Sequence, residues 1–356
     1  MRHHFKNAIL ITLAIKVLFY VFGSILRPEP LMDGHLFKVF MENDSYWYKH
    51  IFDQGYPLHV PGMWEQSAFA FFPLYPLLLK GIGLLFGSFA NSAFVLSLVL
   101  SFFWVKGIYK YMGSVGKSES DAFWLVLLLQ CIPFHYFFHM FYTELLFSTL
   151  LFWIMHYSQK NNFTGVFALC ILLGASRPTG LLFAFTIFLT VLIQIKPAQW
   201  FRKENIMRML PFLGAPVGIG LFAIYCFQRV GSAFVFRENM IAWQRDYCWP
   251  WESFVTDRVE LQYLGIYALL LVIIGLYAAF ISKGKNLIII LPNLILPLCT
   301  GSIISYPRYV SVNHPIFEKL VSKFRFLKKP WVLALLFLGN LATFAYWVLV
   351  HDVLSY

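Results

Sequence analysis

Residues 69–87 read FAFFPLYPLLLKGIGLLFG, and the architecture of the chain turns on whether this stretch crosses a membrane. It is apolar enough to do so, but Pro73, Pro76 and Lys80 interrupt it. Proline lacks an amide donor and crowds the preceding turn, and a lysine in hydrocarbon is costly. The decision propagates along the chain. Lys106, Lys110 and Lys117 fall in the 106–117 connector, which the positive-inside rule assigns to the cytoplasm. Were 69–87 a full span, that connector would lie outside. The stretch is therefore expected to be a half-buried or interfacial helix.

The surrounding composition supports a bilayer. Of 356 residues, 59% are hydrophobic and 13% charged, about half the roughly 25% charged residues of a soluble domain. Mean hydropathy is +0.67, and 39 phenylalanines suit lipid-facing helices better than a porin-like barrel. The net charge of +11 does not point to nucleic acid, because the basic residues cluster in short connectors between apolar runs.

Apolar runs fall near 8–26, 92–111, 121–138, 143–158, 163–176, 179–196, 209–228, 263–282, 286–304, 308–322 and 331–350. The expectation is an all-α polytopic membrane protein of about 10–12 transmembrane helices, forming one domain over 1–356. Several runs are shorter than the roughly 20 residues of a perpendicular span, which a packed bundle tolerates. The N-terminus, MRHHFK before an apolar run, resembles a signal peptide. Lys16 and the lack of a small-x-small site predict an uncleaved first helix instead.

Charge orients the connectors. Arg2 and Lys6 place the N-terminus inside, as do the basic segments KPAQWFRKENIMR, SKGK and FEKLVSKFRFLKK. Residues 27–68, read as the first outer, catalytic loop, carry Arg27, Lys38 and Lys49 against Glu29, Asp33, Glu42, Asp44, Asp53 and Glu65, which fits the outer side. The turns at 138–144, 176–179 and 305–308 and the long 229–262 loop then share that side.

The outer segments hold the candidate chemistry. NDSYWYKHIFDQGY at 43–56 sets Asp44 among Tyr46, Trp47, Tyr48 and Tyr56. A carboxylate beside aromatics at a membrane surface suits sugar chemistry, where a base takes a proton from an acceptor hydroxyl. The bland reading is a helix cap, because NDS is also good N-cap chemistry. Asp53 and Glu65 are weaker candidates for orienting an acceptor or binding a cation. Arg177, Arg245 and Arg308 interrupt or border apolar runs, and each either binds a lipid phosphate through its planar fork or snorkels to the interface. Glu144 either orients an arginine or caps a helix end. Trp243, Trp249 and Trp251 either stack on a sugar or form an interfacial belt. His135, His139 and His314 lack metal-ligand spacing, and no metal site is expected. Nor do the five cysteines show the spacing of a disulfide framework.

Taken together, these segments resemble the PIG-V-type mannosyltransferases, the family of GPI mannosyltransferase II and its prokaryotic relatives among the GT-C glycosyltransferases. The resemblance rests on Asn43-Asp44, Tyr46-Trp47-Tyr48, Ile51-Phe52 and Gly55-Tyr56, then FAFFPLYP at 69–76, FYTELLF around Glu144, SRPTG around Arg177, AWQRDYCWPW around Trp243 and PRY around Arg308. Asn43 stands where the family usually has tryptophan.

The resemblance implies a GT-C bundle acting on the extracytoplasmic side of a bacterial inner membrane or an endoplasmic reticulum membrane. The donor would be a polyprenyl- or dolichyl-phosphate sugar, usually mannose, and the acceptor a lipid-linked or other glycan. It implies inversion, with Asp44 as base and Arg177 and Arg308 on the leaving phosphate. Tyr46, Trp47, Tyr56, Glu65, Phe71, Tyr75, Glu144, Trp243 and Arg245 would contact substrates. A single donor phosphate implies no cofactor or metal by default. Two rivals remain, a transporter or flippase of lipid-linked sugars and a non-catalytic subunit of a transferase complex. The first predicts charges buried mid-span and internal repeats. The second would tolerate loss of Asp44.

Overall fold

The computed structural model describes residues 2–26, 37–255, 262–282 and 284–349. Arg27, Glu29, Asp33, Lys283 and residues 256–261 of the second long loop lie outside the described residues. What is described is helical, with no strand. In chain order the helices are α1 (Arg2–Leu26), α2 (Asp44–Gln54), α3 (Leu74–Phe86), α4 (Phe89–Ser114), α5 (Glu119–Cys131), α6 (Glu144–Gln159), α7 (Phe163–Ser176), α8 (Thr179–Leu192), α9 (Lys203–Met209), α10 (Gly214–Val230), α11 (Val235–Glu238), α12 (Gln262–Ser282), α13 (Lys285–Ile295), α14 (Tyr306–Ser311), α15 (His314–Lys323) and α16 (Pro330–Leu349).

Five helical stretches among the described residues are long and apolar enough to cross a bilayer: His3–Leu26, Phe89–Ser114, Lys203–Val230, Leu264–Ser282 and Pro330–Leu349. Four more apolar helices are shorter: Leu74–Phe86, Phe163–Ser176, Thr179–Leu192 and Asn286–Thr300. At 13 residues, α3 reaches about 20 Å, short of a hydrocarbon core of about 30 Å. Four of the five long helices leave most of their apolar window unburied, α4 being the exception. On α12, Ile266, Ile273 and Phe280 stand exposed, an arrangement unfavourable in water and natural against lipid tails.

The chain sorts into two compact units, Met1–Tyr56 with Tyr75–Thr149 and Val321–Tyr356, and Pro57–Leu74 with Leu150–Leu320. In the first, α1 packs against α4, α5 and α16, and polar side chains tie the helices. Gln130 donates to Thr12 at 3.1 Å, Trp104 donates to Ser148 at 2.6 Å, and Asn340 donates to the Gln130 carbonyl at 2.9 Å. Asn340 also accepts from the Tyr136 amide at 3.1 Å, and the buried Lys16 ammonium donates to the Phe138 carbonyl. Between apolar helices such bonds supply association that the hydrophobic effect cannot.

The apolar run expected at 121–138 breaks at Cys131, where Pro133 follows and Phe134 adopts a left-handed φ of 63°. Two basic connectors of this unit lie side by side. Lys117 donates to Ser322, and Lys328 pairs with Asp121. The sequence assigned both to one face of the membrane.

In the second unit α7 and α10 touch backbone to backbone. A Cβ on Gly174 would stand 2.2 Å from the Ala215 carbonyl oxygen, and one on Gly218 would stand 2.1 Å from that of Ile171. Small residues permit this approach, as in membrane helix pairs generally. α13 packs on α8 and α12, with Asn293 donating to Thr186 at 3.0 Å. α14 and the start of α15 are tied to α13, since Tyr306 donates to the Leu294 carbonyl and Asn313 to that of Ile290. The run expected at 308–322 is broken between Ser311 and His314, immediately before Pro315.

Candidate functional site

In the first unit the candidates gather around α2. Asp44 is its first residue, half-buried, rather than part of an open loop. Asn43 precedes it at φ 54° and makes no side-chain cap, so the carboxylate of Asp44 is the acidic group at the helix's positive end. Three bonds fix this start. Ser45 donates to the Phe141 carbonyl at 3.0 Å, Tyr142 donates to the Glu42 carbonyl at 3.3 Å, and the Tyr46 amide donates to the Asn43 carbonyl at 2.9 Å. The segment that ends in Glu144 thus holds the segment that begins with Asp44.

Gly55, at φ 80°, ends α2, a conformation only glycine adopts at no steric cost. Tyr46 is exposed, Trp47 half-buried and Tyr56 buried. Tyr75 packs edge-on against Tyr48 with ring centroids 4.9 Å apart, and Glu144 lies near enough for its charge to act on the Tyr75 phenol. Glu144 is fully buried at the first position of α6. Asp53, on the last turn of α2, pairs with Lys49 on an exposed face, the ordinary i,i+4 arrangement of a solvated helix.

The second unit holds the remaining candidates in two groups. The first centres on a residue that sequence reasoning missed, Asn239, which is 3% exposed. Its amide nitrogen donates to the Glu65 carbonyl at 2.7 Å, and its oxygen accepts from the Ser67 amide at 3.2 Å and the Trp243 indole at 3.3 Å. Trp243 in turn packs edge-on against Phe71, centroids 5.5 Å apart. Glu65, Phe71 and Trp243 are therefore brought together.

The Glu65 carboxylate itself faces solvent and closes a local turn. It accepts from the Gly62 amide at 2.9 Å with His59 beside it. The Gly62 amide first, and then His59, holds this carboxyl below its ordinary range. The only local sign of Asn239 in the sequence is its i,i+4 spacing to Trp243.

The second group is built on α14. Arg308 is 8% exposed within it. Arg245 forks onto its entry: Nη1 donates to Thr300 Oγ1 at 3.2 Å and to the Ser302 carbonyl at 3.1 Å, and Nη2 donates to Ser305 Oγ at 3.0 Å. Arg177 ends α7 in extended backbone, φ −161° and ψ 150°, as the following Pro178 requires. Its guanidinium carbon lies 5.4 Å from the centroid of the Tyr309 ring.

The SRPTG segment folds tightly, since a Cβ on Gly180 would meet the Leu173 carbonyl oxygen at 2.4 Å. Arg177 and Arg245, from separate stretches of sequence, thus meet the segment that carries Arg308, one at Tyr309 and the other at Ser305. Arg245 spends its two terminal nitrogens within the protein, so its fixed role is to position α14.

Trp249 and Trp251 stack on each other, nearly parallel at 5.2 Å, and both remain exposed. The histidines are packed into the helices: His135 Nδ1 lies 2.6 Å from the Leu129 carbonyl oxygen, His139 stacks on Phe19, and His314 stacks on Phe152. Among the described residues, no three of His, Cys, Asp and Glu gather as a metal site would require. Compared with protein-family models and with curated proteins, the chain matches none.

Proposed function

We propose that the protein is an inverting, membrane-embedded glycosyltransferase that moves a hexose from a polyprenyl- or dolichyl-phosphate donor to a lipid-linked or other glycan acceptor on the extracytoplasmic side. Mannose is the sugar proposed. The observation that carries this reading is that Arg177 meets the Tyr309 ring and Arg245 meets Ser305, on either side of Arg308 in the α14 segment. Guanidinium groups held by an aromatic ring and a hydroxyl network suit a phosphate diester donor and its monoester leaving group better than a neutral ligand.

In the proposed reaction Asp44 takes the proton of an acceptor hydroxyl as its oxygen attacks the anomeric carbon. The bond from that carbon to the phosphate oxygen breaks on the opposite side, inverting the configuration. Negative charge grows on the departing lipid phosphate. Arg177 and Arg308 stabilise that charge more strongly in the transition state than in the ground state, which is the condition for raising the rate. Arg245 keeps α14 in register. Tyr46 and Trp47 in the first unit and Trp243 in the second offer aromatic faces to sugar rings, with Tyr56, Tyr75 and Glu144 proposed as substrate contacts in the first and Glu65 and Phe71 in the second.

The test is transfer from radiolabelled polyprenyl-phosphate mannose in membranes containing the wild-type chain or Asp44→Asn. The substitution keeps shape and removes the base, so transfer should fall by about 10²–10⁴-fold at equal protein level. Undiminished transfer by the variant would remove Asp44 from the mechanism. Absence of transfer by both proteins, with phosphate-dependent donor binding also absent, would reject the transferase reading.

A further inference from the structure

We infer that Cys248 and Cys299 form a thiol–disulfide modification site that, when oxidised, fastens the Arg245 loop to the turn beneath it. The two residues are 51 positions apart, and nothing in their spacing pairs them. The fold does. The Cys248 amide donates to the Cys299 carbonyl at 3.2 Å. A direct backbone bond holds the two residues side by side, and a disulfide closes between Cα atoms roughly 4.4–6.8 Å apart.

Cys248 Sγ already sits against the 298–301 turn. It accepts from the Gly301 amide at 3.1 Å and lies 3.6 Å from the Leu298 carbonyl oxygen and 3.5 Å from Ser253 Oγ. Cys299 Sγ is turned back along its own helix, 3.8 Å from the Ile295 carbonyl oxygen, so bridging requires that side chain to rotate. Both cysteines are partly exposed, whereas Cys131, Cys170 and Cys226 are buried. A small oxidant reaches the first pair and not the others.

The reaction needs a disulfide oxidant, and a low-molecular-weight disulfide such as oxidised glutathione supplies it. One cysteine thiolate attacks a sulfur of that disulfide and releases one glutathione thiol. The second cysteine thiolate then attacks the mixed disulfide, the Cys248–Cys299 bond forms, and the second glutathione thiol departs. Two electrons pass to glutathione, and the two cysteine protons end on its two thiols. The bridge falls three residues from Arg245 and one from Thr300, which already share a hydrogen bond. It would therefore lock the loop that holds α14 in place. This inference is independent of the transferase reading.

The test uses the full chain in detergent, equilibrated with reduced or oxidised glutathione, quenched in acid, unfolded, alkylated and weighed intact. Oxidation should remove two alkylatable thiols without adding glutathione mass, and peptide mapping should place the link at 248–299. Dithiothreitol should restore both. In Cys248→Ser and in Cys299→Ser the two-thiol loss should vanish, and the rise in thermal midpoint that accompanies oxidation of the wild type should vanish with it. Five alkylatable thiols after oxidation, a stable glutathione adduct on the wild-type chain, or a link to one of the buried cysteines would each overturn the assignment.

Discussion

The guanidinium of Arg177 lies over the ring of Tyr309, 5.4 Å from its centroid, and this contact joins the α7–α8 break to the helix that carries Arg308. A cation over an aromatic face contributes about 0.5–1 kcal/mol at an exposed site and more when desolvated. Its larger consequence is orientation, because the ring leaves the planar fork little freedom.

Arg177→Lys keeps the charge and loses the fork. If the arginine stabilises a leaving phosphate, transfer should drop by about 10²–10³-fold. The thermal midpoint should move little. Tyr309→Leu should weaken transfer less and leave donor binding measurable. A kcat unchanged in Arg177→Lys would assign the arginine to snorkelling.

Asn239 offers a test of structure rather than chemistry. Replacing it with alanine strands the Ser67 amide and the Glu65 carbonyl and frees the Trp243 indole. The expected loss is about 1–3 kcal/mol for each buried group left unsatisfied. Tryptophan fluorescence during thermal unfolding in detergent should report it, with Asn239→Asp intermediate because the oxygen acceptor survives.

Gly218→Ala should destabilise severely, since its Cβ would collide with the Ile171 carbonyl oxygen, backbone that cannot swing aside. Gly220→Ala is the control two residues away. A Cβ there meets nothing within 4 Å, and removing a helical glycine favours the helix by up to about 1 kcal/mol. Equal effects from the two substitutions, read as folded yield after solubilisation, would contradict the packing of α7 on α10.

Asp121 gives a pH dependence with a definite sign. Burial raises its pKa, but hydrogen bonds from Lys328 and Ser118 outweigh burial and hold the carboxyl below its ordinary range. A folded pKa below the unfolded one contributes stability that is present above the unfolded value of about 4. That stability disappears as pH falls through the folded value. Between pH 6 and pH 3 the wild type should therefore lose more thermal stability than Asp121→Asn. The part due to this pair should be no more than about 1 kcal/mol.

Much of the helical scaffold was legible in the sequence because its punctuation is local. α7 starts where Asn162 accepts from the Gly165 amide, and Arg177-Pro178 separates it from α8. These ends match the runs 163–176 and the start of 179–196. The break after Cys131 was not legible from hydropathy, which runs on through Phe134; its signal is Pro133, which holds Ile132 in extended backbone at ψ 136°.

At the candidate site the single residues were visible, since arginine and aspartate stand out against apolar runs. Their organisers were not. Asn239 acts across about 170 residues of sequence, and the link between Arg245 and Ser305 spans 60. No periodicity carries such information. Asp44 was read as belonging to a loop, because the short helix it begins has a polar, aromatic face with no clear apolar stripe.

The backbone contact of α7 with α10 leaves no layer of side chains to act as a lubricant. Where the helices meet at Gly174 and Gly218 they cannot slide by repacking rotamers, because glycine has none. Arg177 is mounted at the end of that closely packed pair, so its backbone is a fixed post. Any anion it serves must travel to it, and a headgroup on a mobile lipid is the kind of cargo that can.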